Sequence, residues 1–139
     1  MSPLTRFWHL TAEERRLVTE AVVLVTAVRL GLSVLGFRPL RRVLARLGHH
    51  RVAVPLSSGR IGWAVRAAAR RVPRARTCLV EAIAAETLLA RHGYTTQLRI
   101  GVARSGAGID AHAWLEQDGR PVFGHPGPLH AGVLPPIDL

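Results

Sequence analysis

Two residues in the second half of the chain carry the side chains needed for acyl transfer by a thiolate. Cys78 lies at the predicted start of an apolar helix, where free N–H groups and the helix dipole favour the thiolate form. His112 follows 34 residues later on a predicted strand. The strand and turn between them are long enough to fold the sheet back across the helix start. A thiolate nucleophile and a histidine base are the minimum set for this chemistry.

Each of these residues also has an ordinary structural interpretation. A lone cysteine in an alanine-rich helix is more often a small core residue, and a lone histidine on a strand is more often a hydrogen-bonded structural group. A single cysteine excludes an intramolecular disulfide and a multi-cysteine zinc site. No carboxylate or thiol recurs at ligand spacing near the histidine pairs His49/His50 and His125/His130, so no metal and no cofactor is predicted.

The segment around Cys78 has the signals of a helix that begins at the cysteine. Thr77 is a favourable N-cap residue, and Gly93 can adopt the left-handed conformation that ends a helix. The predicted helix runs from Cys78 to His92. Because it carries few charges and is apolar on most sides, we expect it to lie at the centre of the fold.

Strands are predicted after this helix. Residues 95–102 alternate between polar and apolar side chains, which is the period of a strand. The pair Asp118-Gly119 is a strong signal for a two-residue hairpin turn, with strands over 111–117 and 120–123. The proline-rich tail shows no period and is expected to be a loop.

Helices are predicted through most of the first half. Thr11 and Glu14 form a capping-box pattern at the start of a long helix over 12–36. Two shorter helices are predicted, one over 38–47 and one that Ser58 caps and that ends before Pro73.

The helix over 38–47 is amphipathic, and its sequence predicts which side faces the core. The apolar residues expected to face inward are Leu40, Val43, Leu44 and Leu47. The arginines expected to face solvent are Arg41, Arg42 and Arg46. Gly48 is expected to end the helix.

Charge is distributed unevenly along the chain. All 19 basic residues are arginine, and with 9 acids they give a net charge of +10. Residues 1–77 hold 15 arginines and 3 acids, a net +12, whereas residues 78–139 hold 4 arginines and 6 acids, a net −2. The basic half is expected to meet an anionic partner. Few aromatics and no recognised nucleic-acid motif accompany the arginines, so nucleic acid is not the expected partner.

The long helix over 12–36 raises the question of a membrane. Its longest uncharged runs are eight residues each, divided by Arg29, whereas a span needs roughly 20 apolar residues. We therefore expect a core helix, with membrane contact the minor alternative. Residues 1–10 lack the pattern of a signal peptide, which favours a cytoplasmic location.

Four stretches in this order resemble the transglutaminase-like core of lasso peptide leader peptidases. They are TCLVEA from residue 77, LLARHGY from residue 88, LRIGV from residue 98 and AHAWLEQDGRPV from residue 111. The resemblance covers about residues 60–124. It implies an α+β fold in which a helical region, residues 1–57, precedes a papain/transglutaminase-like core, residues 58–139, with the cysteine helix packed on a small antiparallel sheet.

The same resemblance implies a biochemical role. Such peptidases cut a ribosomally made precursor peptide between leader and core, with a PqqD-like leader-recognition protein as partner. A cyclase similar to asparagine synthetase then closes the macrolactam ring on the freed core amine. Carried over to this sequence, Cys78 is the nucleophile and His112 the base.

The third member of the triad departs from the family pattern. Asp118 matches best, but six residues along a strand separate it from His112 by about 20 Å, and a turn-forming role is the simpler interpretation. Counting back from the turn sets His112 opposite His125, where a carboxylate or amide is expected. Asp110, Glu116 or no acid at all remain alternatives.

Two other functions are consistent with the sequence. The same fold can catalyse amide cross-linking or other acyl transfer, because hydrolysis and transfer proceed through the same thioester. Alternatively, the chain is a non-catalytic basic module that binds nucleic acid or a membrane surface. The latter predicts that Cys78→Ala changes no activity.

Overall fold

Helices come first along the chain and strands follow. The computed structural model describes residues 8–49, 56–72, 77–105, 108–124 and 132–133. The helices with both ends described are α1 (Ala12–Val34), α2 (Phe37–Gly48), α3 (Ser58–Ala69) and α4 (Cys78–Arg91). The strands are β1 (Gln97–Ser105), β2 (Gly108–Gln117), β3 (Arg120–Phe123) and β4 (Gly132–Val133). The predicted α+β class is confirmed.

Side-chain caps set the starts of the helices. In the capping box of α1, Thr11 Oγ1 accepts from the Glu14 N–H at 3.2 Å and the Thr11 N–H donates to Glu14 Oε2 at 2.9 Å, as the sequence predicts. Ser57, one residue before the predicted cap, accepts from the N–H of Arg60 at the start of α3. Helix α1 ends at Val34, two residues short of the prediction.

Helix α4 occupies the centre of the fold, as predicted. It packs against α1, α2 and α3 on one side and against β1 and β2 on the other. Its buried residues are Val80, Ala82, Ile83, Ala84, Ala85, Thr87, Leu88 and Leu89. The small side chains among them allow this many neighbours to approach one helix.

Helix α1 contributes one face to the same core. Its buried residues are Leu17, Val18, Ala21, Leu24, Val25 and Val28. Gly31 allows α2 to approach closely, since a Cβ at this position would lie 2.5 Å from a methyl carbon of Leu40. Helix α1 is long and apolar enough to cross a membrane by length and composition, but a third of its most apolar window is buried inside the protein.

The predicted faces of α2 are wrong at three positions. Arg41 is buried, with 6% of its surface exposed, and its guanidinium contacts both carboxylate oxygens of Glu86 on α4, the shorter at 2.8 Å. Val43 and Leu47, expected in the core, are 54% and 37% exposed. The apolar spacing within α2 could not reveal this, because the carboxylate that draws Arg41 inward lies 45 residues later.

Gly48 ends α2, as the sequence predicts. It is the last residue of α2 and is buried, and its φ is not in the left-handed region, unlike that of Gly93 at 88°. A Cβ at Gly48 would lie 3.0 Å from the Cβ of Ala90. The glycine is therefore suited to the close packing of α2 on α4.

The strands form one sheet in the order β3-β2-β1-β4. Strands β1 and β2 pair without interruption from Gln97–Glu116 to Ser105–Gly108. In the tail, Gly132 and Val133 form β4, which pairs with Gly101 and Val102 of β1. The prediction of a loop throughout the tail is therefore wrong at Gly132 and Val133. One buried core includes residues of all four helices and of β1, β2 and β3. The predicted division of the chain into two regions at residue 57 stays a prediction.

Candidate active site

Cys78 is the first residue of α4 and is exposed. Thr77 precedes it as the N-cap, with an extended backbone and a hydroxyl that accepts from the Val80 N–H at 3.3 Å. The core contacts of α4 lie further along the helix. The predicted core interpretation of the cysteine is therefore wrong, because the thiol is at the surface.

The thiol lies against the strand that carries His112. Cys78 Sγ is 3.7 Å from the carbonyl oxygen of Ala111, the residue immediately before His112 on β2. This contact joins the start of α4 to β2 across 33 residues of chain. The sheet thus folds back across the helix start, as the sequence predicts.

The position of His112 in the sheet determines which side of β2 its ring occupies. The residue is half-buried, and its partner across the β1–β2 ladder is Gly101, which has no side chain. The two-residue period of a strand puts His112 on the face opposite Ala113 and Leu115, which belong to the core. The Cys78 thiol reaches β2 at the backbone carbonyl of Ala111. A contact between the thiol and the imidazole therefore requires both side chains to turn toward the backbone of β2 at this point.

The first turn of α4 supplies hydrogen-bond donors next to the thiol. The Thr77 hydroxyl accepts from the Val80 N–H, and the Thr77 carbonyl accepts from the Glu81 N–H. Within the described residues, the N–H groups of Cys78 and Leu79 are left without a hydrogen-bond partner. Such donors at a helix start can stabilise an oxyanion.

Asp118 is not brought to His112. It lies in the β2–β3 turn with φ 52° and is exposed, and Gly119 follows with φ 79°. Residues Gln117 and Arg120 pair across this turn, as predicted. Strand β2 shows no irregularity in its pairing with β1 between His112 and the turn, so the two residues stay about 20 Å apart along the strand.

The pairing of β2 with β3 beyond the turn is not a regular one-to-one ladder. Glu116 pairs with Pro121, but Leu115 pairs with Phe123, so β3 holds one extra residue, Val122. The predicted pairing of His112 with His125 depended on a regular ladder, and the bulge removes that basis. His125 itself lies outside the described residues.

The other candidate acids have different positions. Glu116 accepts from Trp114 Nε1 at 3.1 Å and lies 3.6 Å from Arg99 Nε. Trp114 is almost fully buried. Asp110 pairs with Ala103 in the β1–β2 ladder, and its side chain lies outside the described residues.

Sequence reasoning missed the contacts among Trp114, Glu116 and Arg99. The available signal was strand alternation, since Trp114 and Glu116 are two residues apart on β2 and Arg99 pairs with Trp114. These side chains share the face of the sheet that His112 occupies. Among the described residues no three of the His, Cys, Asp and Glu side chains lie together as a metal would require.

Comparison with known proteins gives one match. A family model described as Transglutaminase-like superfamily matches residues 22–131. This range contains both Cys78 and His112 and most of the helical region. No curated protein and no solved structure matches the chain significantly.

Proposed function

The chain belongs to the transglutaminase-like superfamily, and from this premise we propose that it is a cysteine peptidase with Cys78 as nucleophile and His112 as base. Members of this superfamily are usually cysteine proteases or acyltransferases. The observation that carries the proposal is the 3.7 Å contact between the Cys78 thiol and the backbone next to His112.

Acylation starts from the thiolate form of Cys78. Its sulfur attacks the carbonyl carbon of the scissile peptide bond and forms a tetrahedral intermediate. The N–H groups of Cys78 and Leu79 are positioned at the helix start to donate to the oxyanion. Protonated His112 then gives its proton to the leaving amine, the C–N bond breaks, and an acyl-thioester on Cys78 remains.

Deacylation uses the same two side chains. His112, now neutral, takes a proton from water, and the resulting hydroxide attacks the thioester carbonyl. The C–S bond breaks, which restores the Cys78 thiolate beside protonated His112 and releases a carboxylic acid that loses its proton to solvent. No oxidant or reductant enters the cycle. Asp118 has no part in this scheme, because the turn holds it at the far end of β2.

The substrate we propose is a ribosomally made lasso peptide precursor, cut between leader and core in the cytoplasm. The four stretches that resemble lasso peptide leader peptidases support this assignment. A PqqD-like protein is the proposed leader-recognition partner, and an asparagine-synthetase-like cyclase is the proposed consumer of the core peptide.

The direct test measures the masses of the products formed from a precursor and its leader-binding partner. Cys78→Ala and His112→Ala are expected to lower the cleavage rate by at least about a thousandfold. Asp118→Asn keeps a residue that tolerates the left-handed turn and is expected to cleave normally. His49→Ala, an exposed histidine on another surface, is the matched control. Unchanged cleavage by Cys78→Ala would overturn the proposal.

A second test asks whether thiol and imidazole meet. A histidine that accepts the proton of a neighbouring thiol speeds the alkylation of that thiol by iodoacetamide. At neutral pH, His112→Ala should therefore slow the alkylation of Cys78, whereas His49→Ala should not. Equal alkylation rates for the wild type and His112→Ala would show that the two groups are not coupled.

Product masses also separate the alternative functions. Amide cross-linking or acyl transfer through the same thioester joins two reactants. The mass of the product is then the sum of the two reactant masses minus the mass of the amine or water that leaves. A non-catalytic basic module gives no new product, and its binding to polyanions weakens with salt. Leader and core at their hydrolytic masses support the peptidase.

A further inference from the structure

Helix α1 has a second apolar face that the core does not use. The face is a line of four residues spaced by four, three and four positions, and it consists of Val23, Ala27, Leu30 and Val34. At this spacing the four side chains share one side of the helix. Val23, Leu30 and Val34 are 63%, 57% and 80% exposed. We call this line the α1 stripe.

Positive charge dominates the part of the chain that contains the stripe. Between Glu20 and Glu81 the sequence holds twelve arginines and no acid. Arg16 extends the line of the stripe toward the start of α1, and α2 packs beside α1 through Gly31 and Leu40.

A row of exposed arginines follows α2 at four-residue spacing, namely Arg38, Arg42 and Arg46. Within the described residues none of these three, nor Arg16, forms an ion pair. Of the three acids of α1, Glu14 and Glu20 are paired with Arg60 and Arg91, whereas Glu13 is exposed.

We propose that the α1 stripe and the arginine row on α2 dock the protein onto an anionic lipid bilayer surface. Aliphatic side chains that enter the acyl region, rimmed by cations that meet the phosphates, are the pattern of a helix lying in the membrane interface. The helix does not cross the bilayer, because its other face is committed to α3, α4 and α2.

A bilayer fits this surface better than an acidic protein does. The stripe is straight, about 17 Å long at 1.5 Å per residue, and wholly aliphatic. Protein interfaces instead concentrate aromatic residues and methionine in their centres. The sequence alone favoured a core helix, and the structure shows that one side of α1 fills that role while another apolar side stays exposed.

The test is flotation of the full chain with vesicles of phosphatidylcholine, either alone or mixed with phosphatidylglycerol. The wild type should float with the mixed vesicles and lose binding as salt rises. Arg42→Gln with Arg46→Gln should weaken binding about twenty-fivefold, at about fivefold per arginine. Arg120→Gln, an exposed arginine on the hairpin, is the matched control.

The apolar part of the proposal has its own pair of variants. Leu30→Ser with Val34→Ser should lower binding at least about tenfold, whereas Leu30→Ile with Val34→Ile should bind like the wild type. All these positions are exposed, so urea unfolding should give wild-type stability.

Three results would overturn the proposal. The first is that the wild type fails to float with anionic vesicles. The second is that the serine variants float as well as the wild type. The third is that the chain forms a dimer and the serine substitutions in the stripe dissociate it. The assay requires no catalysis, so its outcome is independent of the proposed peptidase activity.

Discussion

Helices α1 and α4 are both apolar, yet the protein uses them in different ways. Eight of the 14 residues of α4 are buried, against six of the 23 residues of α1. Helix α4 has neighbours on nearly every side and exposes mainly its first turn, where Cys78 lies. Helix α1 buries one face and leaves aliphatic surface on another.

This difference suits the two roles proposed above, whose requirements one helix would not meet easily. A nucleophile needs a backbone that does not move, and enclosure by the helices and the sheet gives α4 that rigidity. A docking surface needs exposed apolar side chains, which a fully enclosed helix cannot offer. Hydropathy alone does not distinguish the two helices, because it measures composition and not the number of neighbours.

The largest expected effect compares one leucine on each helix. Leu88→Ala on α4 should lower the free energy of unfolding by about 3–5 kcal/mol, because Leu88 is fully buried and its removal leaves a cavity. Leu30→Ala on α1 should change it by less than about 0.5 kcal/mol. Urea unfolding measures both, and similar losses would show that the stripe is covered in solution.

The next effect concerns the ion pair that joins α2 to α4. Burial raises the pKa of Glu86 above its ordinary 4.5, although Arg41 opposes that shift. Arg41→Met removes the guanidinium that opposes this shift and leaves the Glu86 carboxylate in a site with little solvent. The free energy of unfolding should therefore fall by about 3 kcal/mol at neutral pH. Arg41→Met with Glu86→Leu should return to within about 1 kcal/mol of the wild type.

The pH dependence of the same pair has a definite sign. A raised pKa in the folded state means that the contribution of Glu86 to stability is present below pH 4.5 and is lost as pH rises through the folded-state pKa. The cost of Arg41→Met should therefore shrink in acid, where Glu86 is protonated, and grow toward neutral pH. A cost independent of pH would show that packing and not charge is responsible.

A smaller effect is expected at the start of α4. Thr77→Ala removes the hydroxyl that accepts from the Val80 N–H and should cost about 1 kcal/mol of unfolding free energy. Because the cap orders the turn that holds Cys78, the cleavage rate should fall as well. Thr77→Ser keeps the hydroxyl and should restore both values. Full activity in Thr77→Ala would show that neighbouring helices alone hold the thiol in place.

The smallest effect is expected at the hairpin turn. Asp118→Asn should change the free energy of unfolding by less than about 0.5 kcal/mol, because asparagine tolerates a positive φ. Asp118→Ala should cost about 1 kcal/mol through the left-handed backbone. Both variants should cleave the precursor at nearly the wild-type rate, and a large loss with Asp118→Asn would show that the carboxylate is catalytic.

Local chemistry explains why most elements could be predicted from the sequence. The caps Thr11 and Thr77 and the turn Asp118-Gly119 act within a few residues, so their effects can be derived from neighbouring residues. The position of Cys78 next to β2 was also predicted, from the order of helix, strand and hairpin. The assignment of catalytic roles to Cys78 and His112 stays a prediction.

Contacts between distant segments explain what could not be predicted. Arg41 turns inward only because Glu86 lies on the helix against which α2 packs. Val122 bulges in β3 although the turn before it is regular, and the adjacent Pro121 is compatible with a plain edge strand as well as with a bulge. Burial on α1 likewise depends on which of its faces α3 and α4 cover.

The absence of lysine gives the cationic surface of α1 and α2 a chemical property as well as an electrostatic one. An acyl-thioester transfers its acyl group to amines, and an exposed lysine near Cys78 would compete with water for it. Guanidinium groups stay protonated up to very high pH and are poor nucleophiles. The protein therefore has no side-chain amine that the proposed acyl-enzyme could modify, and the charge of this face does not change across the physiological pH range.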